Sequence, residues 1–155
     1  MKRTWMLLTS LLLILGGGMI SAPAASAAGY GCSGSLIDTY NVSTSGGTKY
    51  GEIQLYYSTA NGGTNCAVTV DTYFGSSVKK PIRIHIIRCE ASAPPGAYCA
   101  ASGGSVQDWD SYYTYAGPVS VTSMSGRCVR LSGGVTNPNN TTVAANRDTG
   151  AVHCG

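Results

Sequence analysis

Six cysteines constrain this chain more than any other feature: Cys32, Cys66, Cys89, Cys99, Cys128 and Cys154. The number is even, and no Cys-x-x-Cys pair occurs. Only His85 and His153 could complete a cysteine-based metal centre, so no metal, and no other cofactor, is expected. Three disulfides are the natural reading, and disulfides persist in chains that mature outside the reducing cytoplasm. Each bridge contributes about 2–4 kcal/mol, chiefly by restricting the unfolded chain. Six cysteines allow about fifteen pairings. Cys89 and Cys99 bracket one Pro-Pro-Gly loop, which favours that local pair; the partners of the other four stay open at this point.

The N-terminus agrees with export. Lys2 and Arg3 precede an apolar stretch from Met6 to Ile20, and Ala25-Ser26-Ala27 offers the small residues that a signal peptidase admits. A membrane anchor is the rival reading, but the apolar core is short and no stop-transfer pattern follows. Residues 1–27 therefore read as a secretory signal peptide and 28–155 as a single secreted domain. Without Lys2 and Arg3, eight basic residues face seven acidic ones. Such a balance supplies no electrostatic attraction for nucleic acid or an anionic membrane, so neither is expected as a partner.

The mature part is rich in Gly, Ser, Thr, Tyr and Val, with no sustained helical period. Short alternating runs appear instead. In "GEIQLYY", Ile53, Leu55 and Tyr57 share one face; Asn61-Gly62-Gly63 then supplies a turn. In "CAVTVDTYF" the expected inward set is Cys66, Val68, Val70 and Phe74. In "PIRIHIIRC", Ile82, Ile84 and Ile86 share one face, with Arg83 and His85 on the other. "EASAPPGAYCAASGGSVQ" reads as a surface excursion, because Pro94-Pro95-Gly96 continues neither strand nor helix. "SYYTYAGPVSVTS" resumes strand character, with a bend or bulge at Gly117-Pro118. The expectation is an all-β domain, a small antiparallel sandwich or barrel of about 6–8 short strands stapled by disulfides.

Catalytic constellations are sparse. No Gly-x-Ser-x-Gly elbow is present, and His85 and His153 read as ordinary strand and terminal residues. Asp108 and Asp110 flank Trp109, so on a strand both carboxylates share one side, about 6–7 Å apart. That spacing overlaps glycosidase pairs, yet a solvated pair is the stronger reading of so short a motif. The pair also lacks the glycine and distal glutamate of an EF-hand loop. No enzyme is expected. Trp109 and Tyr112, with Asp108 and Asp110, form a candidate ligand surface, since aromatic rings beside polar groups suit glycans. The loop between Cys89 and Cys99 is a second candidate, as the rigid loop of a peptidase inhibitor.

Several segments together carry a resemblance: "GEIQLYYSTANGGTNCAVTV", "SYYTYAGPVSVTSMSGRCVRLSGGV" and the final "HCG". Tyr56 to Thr69, Tyr112 to Val119, Gly126 to Val129, Gly133-Gly134 and Cys154-Gly155 are the matching positions. The chain resembles the small secreted proteins of Streptomyces and related actinobacteria called spore-associated protein A. The resemblance implies secretion, association with spores or the cell surface, and no enzymatic activity. Its partners would be spore or cell-wall glycans or surface proteins. It carries no catalytic residue onto this chain. It also implies that Cys89 and Cys99 are an added pair, leaving Cys32–Cys66 and Cys128–Cys154 as the simplest pairing. Arg130 and Leu131 depart from the family pattern, which often has Trp there.

Overall fold

The computed structural model describes residues 29–155; the signal-peptide expectation for residues 1–27 lies outside the described residues. Eight strands follow one another: β1 (Ser35–Ser43), β2 (Lys49–Ser58), β3 (Thr64–Asp71), β4 (Lys80–Cys89), β5 (Ala101–Tyr112), β6 (Tyr115–Thr122), β7 (Val129–Thr136) and β8 (Ala144–Val152). Short 3-10 turns occur at Gly29–Gly31 and Ala60–Gly62. Every pairing is antiparallel, and the strands form one sheet in the order β5-β4-β7-β8-β1-β2-β3-β6. β1 and β8 share only the pair Ser43–Asn146. Two four-stranded halves are thus hinged at one point and rolled towards each other into a nearly closed barrel.

Period-two alternation explains the core. Ile82, Ile84 and Ile86 of β4 and Val129, Leu131 and Val135 of β7 are all fully buried, facing Ile53 and Leu55 of β2. A side chain at Gly133 would press within 2.6 Å of Ile53 and 2.5 Å of Thr69, so β7 meets β2 and β3 closely only because no Cβ stands there. β3 reverses the expected faces. Ala67 and Thr69 point to the main core, whereas Cys66, Val68 and Val70 lie on the other side with Cys32 and Tyr56. The segment leading to β1, tied down by Cys32–Cys66, covers that second side. Both faces of β3 are therefore buried, and alternation no longer distinguishes them.

The expected "SYYTYAGPVSVTS" strand is split. β5 ends at Tyr112, the chain turns at Tyr113 and Thr114, and β6 begins at Tyr115. Gly117-Pro118 produces the bulge, seen as a register shift between Ala67 and Thr69 of the partner strand. The disulfides are Cys32–Cys66, Cys89–Cys99 and Cys128–Cys154, with no free cysteine among the described residues.

β5 and β6 are the two edges, and side chains rather than a ladder bring them together. At one end Lys80 is 1% exposed and pairs with Asp71 at 2.7 Å. Its Nζ also donates to the carbonyls of Gly75 and Val78 and to that of Tyr113 in the β5–β6 turn. Asp71 in turn accepts from the N–H groups of Tyr73 and Phe74. In the middle, Asp108 of β5 accepts from the Gly117 N–H of β6 at 2.6 Å. At the other end Arg88 donates to Ser102 O on β5 and Thr122 O on β6.

Removing one partner of a buried ion pair leaves the other charge stranded. Lys80→Met is expected to lower the free energy of unfolding by about 3–5 kcal/mol in urea denaturation. Lys80→Met combined with Asp71→Asn is expected to lose less, because no lone charge then remains inside.

Candidate functional site

The outer face of β5-β4-β7-β8 gathers the exposed chemistry. Residues directly opposed in antiparallel strands project to the same side. Arg83 of β4 stands between Trp109 and Gly134, and His85 stands between Gln107 and Ser132. Gly134 is opposite Asn146 on β8, and Ser132 is opposite Asp148. These registers form two polar rows across four strands, with Trp109 at the end of the first.

Each side chain has a local reason for its place. Trp109 is 74% exposed, because its Ile neighbours on β4 point the opposite way and leave it no core to enter. Arg83 lies over Gly134 to donate to Asn146 Oδ1 at 2.9 Å. A Cβ on Gly134 would sit 2.8 Å from Arg83 Nε, so glycine is required for that reach. His85 Nε2 is 2.7 Å from Ser105 Oγ. Arg83, Ile84, His85, Gln107, Asp108, Trp109 and Ser132 line a cleft of about 200 Å³ beside the indole.

The excursion between β4 and β5 walls the far end of this face. Cys89, Ala93 and Cys99 pack on Ile87, Cys128 and Ala151. Gly96 N–H donates to Ala151 O, and Ala151 N–H donates to Ala97 O, so the excursion is bonded to β8. Tyr98, 77% exposed, lies 3.8 Å from the Arg130 guanidinium, and Arg130 grips Asp148 through two bonds. Two exposed rings thus bound the polar rows. Strand spacing and rise put Trp109 and Arg130 roughly 16 Å apart.

The four residues grouped from the sequence do not form one surface. Asp108, Asp110 and Tyr112 share the side of β5 opposite to Trp109, as their pairing with Ile84, Ile82 and Lys80 requires. Tyr112 packs against the core, and its hydroxyl donates to Asp108 Oδ1; this bond, with burial, pushes its pKa up to about 12. Asp108 is thereby engaged at the β5–β6 seam by Tyr112 and Gly117. Asp110 is exposed and accepts from the Ser111 N–H at 2.6 Å. Trp109 keeps its exposed place and gains Arg83, His85, Gln107, Ser132, Asp148 and Tyr98 as neighbours on the face. The alternation of "IRIHI" already separated Arg83 and His85 from the core. The excursion's return to Arg130 had no sequence signal.

Among the described residues, no three His, Cys, Asp or Glu side chains are placed to hold a metal ion, and no helix is long and apolar enough to cross a membrane. Comparison with protein-family models, curated proteins and solved structures finds no match to this chain.

The face is sensitive to acid. Burial first, then the charge of Arg130, holds the His85 pKa below 6.5. Burial opposes ionisation of Asp148, but bonds from Arg130 and the Gly150 N–H outweigh it and hold this pKa below 3.8. In both cases the unfolded chain takes up a proton before the folded one does, so stability falls as pH falls. The urea midpoint is expected to drop in two steps, below about pH 6.5 and again below about pH 4. His85→Gln should shrink the upper step, and Asp148→Asn the lower.

Proposed function

We propose that this chain is a secreted, non-enzymatic surface protein that holds to cell-wall or spore carbohydrate through the β5-β4-β7-β8 face. The observation that carries the reading is Trp109, an indole left 74% exposed on the outer sheet face beside arginine, histidine, glutamine and serine. An exposed indole adds nothing to the core, yet it offers a broad apolar plate for the C–H face of a sugar ring. The adjacent amide, imidazole, guanidinium and hydroxyl groups both donate and accept, as sugar hydroxyls require. Tyr98 gives a second exposed ring on the same face, beside Arg130. Three disulfides favour a chain that matures outside the cytoplasm. The resemblance to spore-associated protein A favours a spore or cell surface as its place of action. The peptidase-inhibitor reading has less support, because the Cys89–Cys99 loop folds into turns bonded to β8 rather than into an extended segment.

The test is retention on insoluble peptidoglycan, chitin and spore-wall material. Trp109→Ala is expected to weaken binding by about 2 kcal/mol, roughly thirty-fold. Its unfolding free energy should stay within about 0.5 kcal/mol of the parent, because the indole touches little. Tyr98→Ala should weaken binding less. Absence of retention on every polysaccharide would remove the proposal.

A further inference from the structure

A second cavity lies away from the Trp109 face, at the end of the barrel where β1, β2 and β3 meet the turn after β6. Its volume is about 450 Å³, within the usual range for small-molecule sites. Ile37, Tyr57 and Met124 supply apolar walls, and His153 and Cys154 close one side. The walls are fixed. Cys128–Cys154 anchors the segment after β8. Met124 and Ser125 donate their N–H groups to Gly63 and Gly62, which ties the turn after β6 to the β2–β3 connection. His153 Nε2 is 3.0 Å from Asp38 Oδ2, and both side chains reach solvent at the rim.

Asn65 distinguishes this cavity from a packing gap. It lies on β3 between Tyr57 and Val121 in the ladder and is only 2% exposed. It lines the cavity, and its Oδ1 has no hydrogen-bond partner. A buried amide oxygen without a partner is destabilising, and native proteins rarely retain one. An open, largely apolar pocket with one unanswered amide on its wall is complementary to an apolar molecule bearing one hydroxyl. A hydroxyl both donates and accepts, so it suits the carboxamide in either orientation.

We infer that this cavity binds a small, largely apolar alcohol or phenol, with the ligand hydroxyl bonded to the Asn65 carboxamide. Nothing in this inference depends on the carbohydrate reading, since no residue is shared between the two sites.

The probes are p-cresol and toluene, which differ by one hydroxyl. Each is titrated into the isotope-labelled mature protein and followed by amide chemical shifts. Shifts are expected at Ile37, Asn65, Gly126 and His153, with p-cresol binding about tenfold more tightly than toluene. In Asn65→Leu the two ligands should bind almost equally. Ser125→Trp changes an exposed residue on the cavity wall and keeps the buried amide intact. It should weaken both ligands at least tenfold. The inference is overturned by an absence of shifts at these residues, by equal binding of both ligands to the parent protein, or by undiminished binding to Ser125→Trp.

Discussion

An antiparallel sheet that rolls up without joining its edges leaves two rows of backbone groups without partners. The fold depends on how that seam is closed. Here three charged side chains, Lys80, Asp108 and Arg88, bridge it from the turn to the far end. Lys80 and Arg88 come from β4 and Asp108 from β5; Lys80 meets three carbonyls, Arg88 two, and Asp108 one backbone N–H and the Tyr112 hydroxyl. Lys80 is the most demanding of them, since its ammonium lies inside the protein and is held by one carboxylate and three carbonyls. Such a cluster is sound only when every member is satisfied.

The seam decides what the outer face can offer. Asp108 and Tyr112 point inwards to hold β5 against β6, so strand alternation turns Trp109 outwards. β4 carries the same logic: Ile82, Ile84 and Ile86 fill the core, and Arg83 and His85 emerge beside the indole. The disulfide-tied excursion then supplies Tyr98, whose ring is stacked on an arginine already fixed by Asp148. The rings and polar groups therefore sit on strands or on a segment bonded to them. Little ordering would remain for a ligand to impose, which favours binding by a rigid face.

Much of this architecture was legible in the residues. "PIRIHII" announced β4 and both of its faces, and Asn61-Gly62-Gly63 announced the connection between β2 and β3. Other parts had no readable signal. β1, "SLIDTYNVS", was missed because only Val42 in it is fully withdrawn from solvent. β5 begins at Ala101, inside what looked like loop; an edge strand with Gly103 and Gly104 lacks the alternation that marks a half-buried one. Gly133 and Gly134 lie within β7, where one admits the opposing half of the barrel and the other admits Arg83. The faces of β3 were inverted because both are buried, one by the core and one by the segment that Cys32 staples. For the site, the sequence singled out Trp109 but attached it to the wrong neighbours, since its companions come from strands whose registers are set by long-range pairing.

Trp109 is the sole tryptophan after residue 27, so in a chain of residues 28–155 its fluorescence reports on the proposed binding face alone. Titration of residues 28–155 with soluble peptidoglycan and chitin oligosaccharides tests the central claim directly. The account predicts a saturable blue shift of the indole emission with at least one of them, as the exposed ring is covered by sugar. An emission spectrum unchanged at saturating concentrations, for oligosaccharides from every polysaccharide that retains the protein, would contradict it.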